Sequence, residues 1–580
     1  MSRSPVAPVR SWPEDVRARY RAAGYWTDET FAAFIEDRTS RFAGNLAVAG
    51  QDAAGTPQRW SYAELGERAR AAAVRLRGSG VEPGDRVVVA LPNITEYLEV
   101  VLGLFRLGAL PVFALPTHRE LELTQFCVLA DAAALVVAVG ADRVDHRALY
   151  DTVSAQVADR GVEPPVLIDV GTWASEAADT AEGDPGVRRD DEKGPGAEAV
   201  LGVEVVPLPD MGAEETAFLQ LSGGTTGVAK LIPRTAADYL YSVRASAEIC
   251  GLDASTRALI VLPAAHNFPM SSPGILGVLH TGGAVVLARD PSPRTAFRLI
   301  AEHGVTDVAL VPPLAQAWIS AAQRRRPDLS TLRTVQVGGA RLADSVAPAV
   351  REVLGARLQQ VFGMAEGLVN YTRADDPDEL VFTTQGRPIS PDDEIRIVDA
   401  ADRDVPEGAE GSLLTRGPYT IRGYYGSPQA DADSFTADGY YRTGDLVRRL
   451  PSGHLIVTGR DSDLINRGGE KVSTEELEGF ALTHPAVLDA VAVGVPDAYL
   501  GERVVLVART ESDAERPDLV GHLRAAGLAT YKVPDDIVFL DELPATHVGK
   551  NSRRELRRLL ATTLAPQAVP QPAAPSKEHR

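Results

Sequence analysis

The stretch Phe218–Pro233, FLQLSGGTTGVAKLIP, decides how this chain is read. An apolar run stops at Ser222-Gly223-Gly224-Thr225-Thr226-Gly227 and resumes only after Lys230. A core strand gains nothing from such residues. The glycines permit a tight turn or a close backbone approach. Hydroxyls and a lysine around them suit an anionic guest, a phosphate first of all. A solvated loop ahead of a strand is the plain alternative, so the rest of the chain has to decide.

The chain has 580 residues, too many for one ordinary core, so at least two domains are expected. Apolar residues make up 44% and charged residues 24%, the balance of a globular protein. A formal charge of −20 argues against nucleic acid as a partner, since that ligand wants a basic face. Two cysteines, Cys127 and Cys250, cannot build a disulfide framework and are too few for a zinc site, so buried thiols are expected. The N-terminal segment lacks the apolar core of a signal peptide, and no window of roughly 18 residues is apolar enough to span a membrane. The expectation is a cytoplasmic protein with no membrane partner.

From about residue 58 to 140 the pattern alternates between helix and strand. YAELGERARAAAVRLRGSG has helical apolar spacing and closes on Gly78 and Gly80. DRVVVALPN is a short buried strand, TEYLEVVLGLFRLGALPVFALP is helix, glycine stop and strand, and AALVVAVG is another strand. Such alternation implies a parallel sheet with helices on its faces. It resumes through RALIVLPAAHN, GAVVLARD, VTDVALVPP and LRTVQVGGA. Residues 183–199 are charged, glycine-rich and aperiodic, a mobile insertion. Residues 381–458 turn to short strands split by Gly, Pro and Asp, a β-rich subdomain. A compact α+β unit follows: a helix over 473–482, strands LDAVAVGVPD and ERVVLVAR, a helix over 516–526, and the basic helix SRRELRRLLATTL. The reading is an α/β chain in which 1–460 form a large layered core, 461–562 a small mobile α+β domain, and 563–580 a disordered tail.

A Walker-type phosphate loop is excluded, because Gly227 is followed by Val228 and Lys230 by Leu231. Kinase and nucleophile-elbow signatures are missing as well. What remains is a dispersed set of glycine-rich polar segments: VGGARL at 337–342, FGMAEG at 362–367, YRTGDL at 441–446, TGRDSDLINRGGEKVS at 458–473 and PATHVGKNSRREL at 544–556. In this order they resemble the core motifs of the adenylate-forming superfamily, across nearly the whole chain. LPTHRELELTQF, AHNFPMSSPGILG and VFGMAEGLVNYTRADDPDE narrow the resemblance to stand-alone aryl-acid adenylating enzymes of siderophore and peptide-antibiotic pathways.

That resemblance implies two half-reactions. A carboxylate attacks the α-phosphorus of MgATP to give an acyl-adenylate and pyrophosphate; a thiol then displaces AMP. Bringing a carboxylate to a triphosphate makes charge neutralisation the main task. Ser222, Gly223, Gly224, Thr225, Thr226, Gly227 and Lys230 would hold the phosphates. Glu366 would be the Mg²⁺ ligand, a hard oxygen donor. Gly338, Gly339, Ala340, Phe362 and Gly363 would line the adenine, and Asp445 and Arg460 would grip the ribose. Lys550 is implied as the catalytic lysine. Ser462 takes the hinge position, where relatives carry Asp or Lys, and Gly468, Gly469 and Lys471 would form the pantetheine loop. Arg553, Arg554, Arg557 and Arg558 are expected to be solvated, with docking of an acidic carrier protein the minority option.

The acid pocket would be bounded by His266, Asn267, Phe268, Ser272 and Val337. Asn267 suits a hydroxyl ortho to the carboxylate, since a buried amide left unpartnered is costly. It also takes the place of the Asp that greets an amino acid's ammonium group. Phe268 with Ser272 leaves 2,3-dihydroxybenzoate, salicylate, 3-hydroxypicolinate and a hydroxyanthranilate all open. The acceptor is expected to be a phosphopantetheinylated aryl carrier protein acting in trans, with free CoA as the alternative. A non-catalytic scaffold ranks below both.

Overall fold

The helix Thr95–Leu107 shows how the large core is assembled. Nearly every residue in it is buried, including Glu96 and Glu99. A helix that is apolar all round belongs inside a protein, not on its surface. It shares one core with Val48 of one sheet and with Val87 and Val89 of another. It lies flush on the helix Tyr62–Gly78, because a Cβ at Gly103 would fall 2.8 Å from that of Ala72. That second helix opens with a Ser61–Glu64 capping box. Gly108, at φ +79°, stops the first and releases the chain into the strand Leu110–Phe113.

The computed structural model describes residues 4–7, 10–173, 211–222, 230–460, 463–467, 470–497, 500–511, 516–526, 528, 532–545 and 551–563. The expected insertion at 183–199, the phosphate-loop residues 223–227, Ser462, Gly468, Gly469 and Lys550 lie outside them. Two compact units are resolved, the first reaching Val457 and the second starting at Thr458. The division falls inside the strand Leu455–Arg460.

The described part of the first unit holds two large sheets. One runs in the order Arg387–Pro388, Gly367–Tyr371, Arg357–Met364, Thr334–Gly338, Asp307–Leu310, Arg257–Ile260, Ala284–Leu287, Leu46–Gln51, Pro57–Ser61. Its centre is parallel and its two edges antiparallel. The other runs Val166–Asp169, Ala134–Val137, Arg86–Val89, Leu110–Phe113, Thr216–Leu221, Leu231–Thr235. The apolar runs read as strands in the sequence all fall on these ladders, and a smaller antiparallel sheet begins at Glu394–Val398. In the second unit the long hairpin Val487–Asp497/Gly501–Thr510 is flanked by the helices Thr474–Ala481 and Arg553–Thr563. Among the described residues no helix is long and apolar enough to cross a membrane.

One buried carboxyl ties the β-rich segment to the large sheet. Asp393 accepts a hydrogen bond from the Tyr419 hydroxyl at 2.6 Å, and that hydroxyl accepts one from the Val369 backbone at 3.2 Å. Burial pushes Asp393 up to about 7. Between roughly pH 4 and 7 the folded chain therefore keeps a proton that the unfolded chain has released. Its contribution to stability falls as pH rises through that window. Asp393→Asn should flatten the dependence by on the order of 3 kcal/mol, read from urea unfolding of wild type and variant at pH 5 and pH 8.

Candidate functional site

Two strands set the neck of the glycine-rich loop. Thr216–Leu221 and Leu231–Thr235 pair antiparallel. Just beyond the ladder the Ser222 N–H donates to the Lys230 carbonyl at 3.0 Å, and the Lys230 N–H to Ser222 Oγ at 3.1 Å. Lys230 Nζ donates to Ser434 Oγ at 3.1 Å and lies 4.6 Å from the ring centroid of Tyr424. The Tyr424 hydroxyl donates to Glu366 Oε1 at 3.2 Å and lies 3.3 Å from the Tyr441 hydroxyl. The lysine and the carboxylate named from sequence thus meet across one aromatic ring. Burial, and next the Glu366 charge, raise both Tyr424 and Tyr441, so they stay protonated.

Glu366 is only 7% exposed, and its oxygen chemistry suits a magnesium ion. No cluster of three His, Cys, Asp or Glu side chains occurs among the described residues. A single carboxylate is what a Mg²⁺ completed by phosphates and water asks of the protein.

The position of Glu366 follows from the turn between the strands Arg357–Met364 and Gly367–Tyr371. A Cβ at Gly367 would fall 2.6 Å from Thr420 Oγ1 and 2.8 Å from Thr420 Cα, so glycine lets that segment close in. The Ile421 N–H then donates to the Glu366 carbonyl at 2.8 Å. Arg234, 2% exposed, fixes both sides of this contact. It donates to the Ala365 carbonyl at 2.6 Å and to the Tyr419 carbonyl at 3.0 Å. Its Nε reaches Asp238 Oδ1 at 3.3 Å. Burial lifts Asp238 to about 6 against the pull of that guanidinium. The guanidinium also sits 4.9 Å from the ring centroid of Tyr239, whose hydroxyl donates to Asn267 Oδ1 at 2.7 Å. Arg234 is absent from the sequence reading, although a charge inside the apolar strand LIPRT was a usable signal.

Asn267 opens the short helix Asn267–Ser271, where His266 Nδ1 caps the Phe268 N–H at 3.2 Å. The Phe268 ring lies over the sheet at Gly338, where a Cβ would come within 3.1 Å of two ring carbons. Gly338 therefore abuts Phe268, the aromatic expected in the acid pocket. Val337 differs from expectation. Gln336, one position before it, meets Cys250 Sγ at 3.3 Å, and Gly338 meets Phe268; strand alternation turns Val337 to the opposite face.

Register supplies the floor that the sequence could not. Gly338 pairs with Val361, Val361 with Tyr371 and Gly363 with Val369. Paired residues share a face, so Val361, Val369 and Tyr371 continue the surface under Phe268. Ser272 is buried at 5% exposure and acts on the Tyr371 phenol, which burial raises well above its usual value.

Beyond the strand end Gly339, at φ +82°, and Ala340 are exposed. Phe362 packs against the cluster of Leu368, Leu413 and Val447. Asp445 is 4% exposed, and its N–H donates to Thr443 Oγ1 at 3.0 Å. Arg460 and Lys471 belong to the second unit, Arg460 exposed at a strand end and Lys471 paired in register with Asn466. In that unit Asn551 Nδ2 lies 3.3 Å from each oxygen of Asp489. Arg553 forks onto Glu478 at 2.7 and 2.9 Å. Arg553 is thus an anchored, partly buried residue and not the solvated one expected.

A lysine, a buried carboxylate and an asparagine beside an aromatic ring are the equipment of a carboxylate-activating, nucleotide-using enzyme. A model of the AMP-binding enzyme family matches residues 35–425, and one of the AMP-binding enzyme C-terminal domain matches 476–550. The chain is 48% identical over 555 residues to the 2,3-dihydroxybenzoate-AMP ligase of Bacillus subtilis, covering 95% of this chain and 98% of that one. It is 43% identical over 563 residues to the salicyl-AMP ligase / salicyl-S-ArCP synthetase of Mycobacterium tuberculosis, covering 96% and 95%. The apo structure of MbtA from Mycobacterium smegmatis matches with a TM-score of 0.69 and 43% identity, over 96% of this chain and 98% of that one. The chain belongs to the AMP-binding, adenylate-forming enzyme family and has that family's fold.

Gly338→Ala would set a Cβ 2.9 Å from the Val361 carbonyl and 3.1 Å from the Phe268 ring, and should raise KM for the acid about tenfold, with KM for ATP little changed. Pyrophosphate exchange at varied acid and varied ATP separates the two.

Proposed function

We propose that the protein is an ATP-dependent aryl-acid–AMP ligase that activates a 2-hydroxyaryl carboxylic acid and passes it to a phosphopantetheine thiol. The observation that carries this reading is the join between the two halves of the site. Arg234 holds the Glu366 turn on one side and Tyr239, the partner of Asn267, on the other. An acid seated against Asn267 and Phe268 would then share one buried frame with Glu366, the expected metal ligand.

In the first half-reaction a carboxylate oxygen of the acid attacks the α-phosphorus of ATP. The bond from that phosphorus to the bridging oxygen breaks, and pyrophosphate leaves. Lys230 and the Ser222–Gly227 loop receive the β,γ-phosphates, Asp445 and Arg460 the ribose hydroxyls, and Lys550 the charge developing between acid and α-phosphate. Glu366 would hold Mg²⁺, which neutralises phosphate charge when bound. In the second half-reaction the thiolate attacks the acyl carbon and AMP departs. A carrier protein in trans is the acceptor we favour, in a siderophore or peptide-antibiotic assembly line. The two cysteines are buried thiols, in keeping with a reducing, cytoplasmic setting.

ATP–pyrophosphate exchange with benzoate, salicylate, 2,3-dihydroxybenzoate and 3-hydroxypicolinate tests the reading. A 2-hydroxy acid should lead the panel; an α-amino or fatty acid outrunning all of them would overturn it. Lys550→Ala should lower exchange by at least about 100-fold with an unchanged unfolding profile. Comparing transfer to holo-carrier and to CoA identifies the acceptor.

A further inference from the structure

We propose that Asp489 is a positioning residue for Lys550, acting through Asn551, which follows the lysine in the chain. The inference rests on the reading that Lys550 meets the charge developing between acid and α-phosphate, and it says what holds the backbone from which that lysine reaches.

A lysine carries its charge on a flexible four-carbon stem, so where the ammonium arrives depends on how firmly its backbone is held. Glycine is the residue least able to fix a backbone, and Gly549 precedes the lysine. The fixing has to come from the other side. There Asn551 pairs with Ala545 as an antiparallel bridge, and the Ser552 N–H donates to the Pro544 carbonyl at 2.7 Å. The Asn551 side chain turns onto the long hairpin, where Nδ2 lies 3.3 Å from each oxygen of Asp489.

Asp489 is 9% exposed, on the strand Val487–Asp497. Its Oδ1 also accepts from the Ala490 N–H at 2.9 Å. Burial raises this carboxyl above its ordinary range, against the pull of the Asn551 amide. A polar group in such a place needs the donors it has, so the acid and the amide hold each other.

The helix Arg553–Thr563 does not depend on that contact. Leu556 and Leu560 bury its apolar face against the hairpin. Arg553 forks onto Glu478, and its Nε reaches the Ala492 carbonyl at 3.4 Å. The Asp489–Asn551 contact is thus separable from the seating of the helix, and it acts on the residue bonded to the lysine.

Pyrophosphate exchange with salicylate, combined with unfolding profiles, tests the assignment. Asp489→Ala should lower kcat about tenfold, with the KM values for ATP and salicylate and the unfolding profile little changed. Asn551→Ala removes the same contact from its exposed side and should lose as much, which covers the case in which Asp489→Ala fails to fold. In a Lys550→Ala background neither substitution should matter by more than about twofold, since a residue that acts through the lysine has nothing left to position. A merely structural role would give the same loss in both backgrounds. An unchanged kcat in either folded single variant overturns the proposal, and so does a full tenfold loss on top of Lys550→Ala. If Lys550→Ala alone leaves exchange intact, the assignment of the lysine falls, and the proposal with it.

Discussion

A buried arginine carries the arrangement of this site. Arg234 brings a full positive charge into the interior, and it has one carboxylate, Asp238, and two backbone carbonyls to satisfy it. Its planar fork makes the geometry specific, because the N–H directions are fixed relative to one another. Removing one member of such a set leaves the rest uncompensated in a poor solvent for charge, at about 3–5 kcal/mol. Through those bonds the Glu366 turn, the Tyr419 segment and the Tyr239 ring become one body. Glu366 and Asn267 therefore keep their spacing through a shared buried frame.

The remaining precision comes from the parallel sheet. Strands Thr334–Gly338 and Arg357–Met364 end at the same edge, where the crevice of an open α/β sheet takes its ligand. Pairing register puts Gly338 beside Val361 and Gly363 beside Val369. A slip of one residue would turn one strand's side chains to the opposite face relative to its partner. Asp393 and Tyr419 act on the same construction from below, since the Tyr419 hydroxyl that meets Asp393 also accepts from the Val369 backbone.

The local elements were legible in the sequence because their signals are local. Gly108 ends a helix wherever it is placed, and the apolar runs RVVV and ALVV are too short and too apolar to be anything but buried strands. Lys230, Glu366, Asn267 and Phe268 stood out through motifs that sit on turns and strand ends. What escaped depends on distant parts of the chain. Nothing in VQVGG says that Gln336 and Gly338 face Phe268 while Val337 faces away. Nothing in NYT says that Tyr371 lies opposite Val361. Arg234 and Arg553 look like surface residues until the carbonyls and carboxylates that enclose them arrive from elsewhere.

Tyr424 serves both charges at once, its ring under the ammonium of Lys230 and its hydroxyl on the carboxylate of Glu366. A direct ion pair there would have to be torn apart before a triphosphate and its metal could enter. A phenol in that place lets both groups rest on neutral partners, Ser434 Oγ for the ammonium and the Tyr424 hydroxyl for the carboxylate. Hydrogen bonds between a charge and a neutral hydroxyl give way more cheaply than a buried ion pair, so two opposite charges can be kept in one cluster and still be exchanged for outside partners.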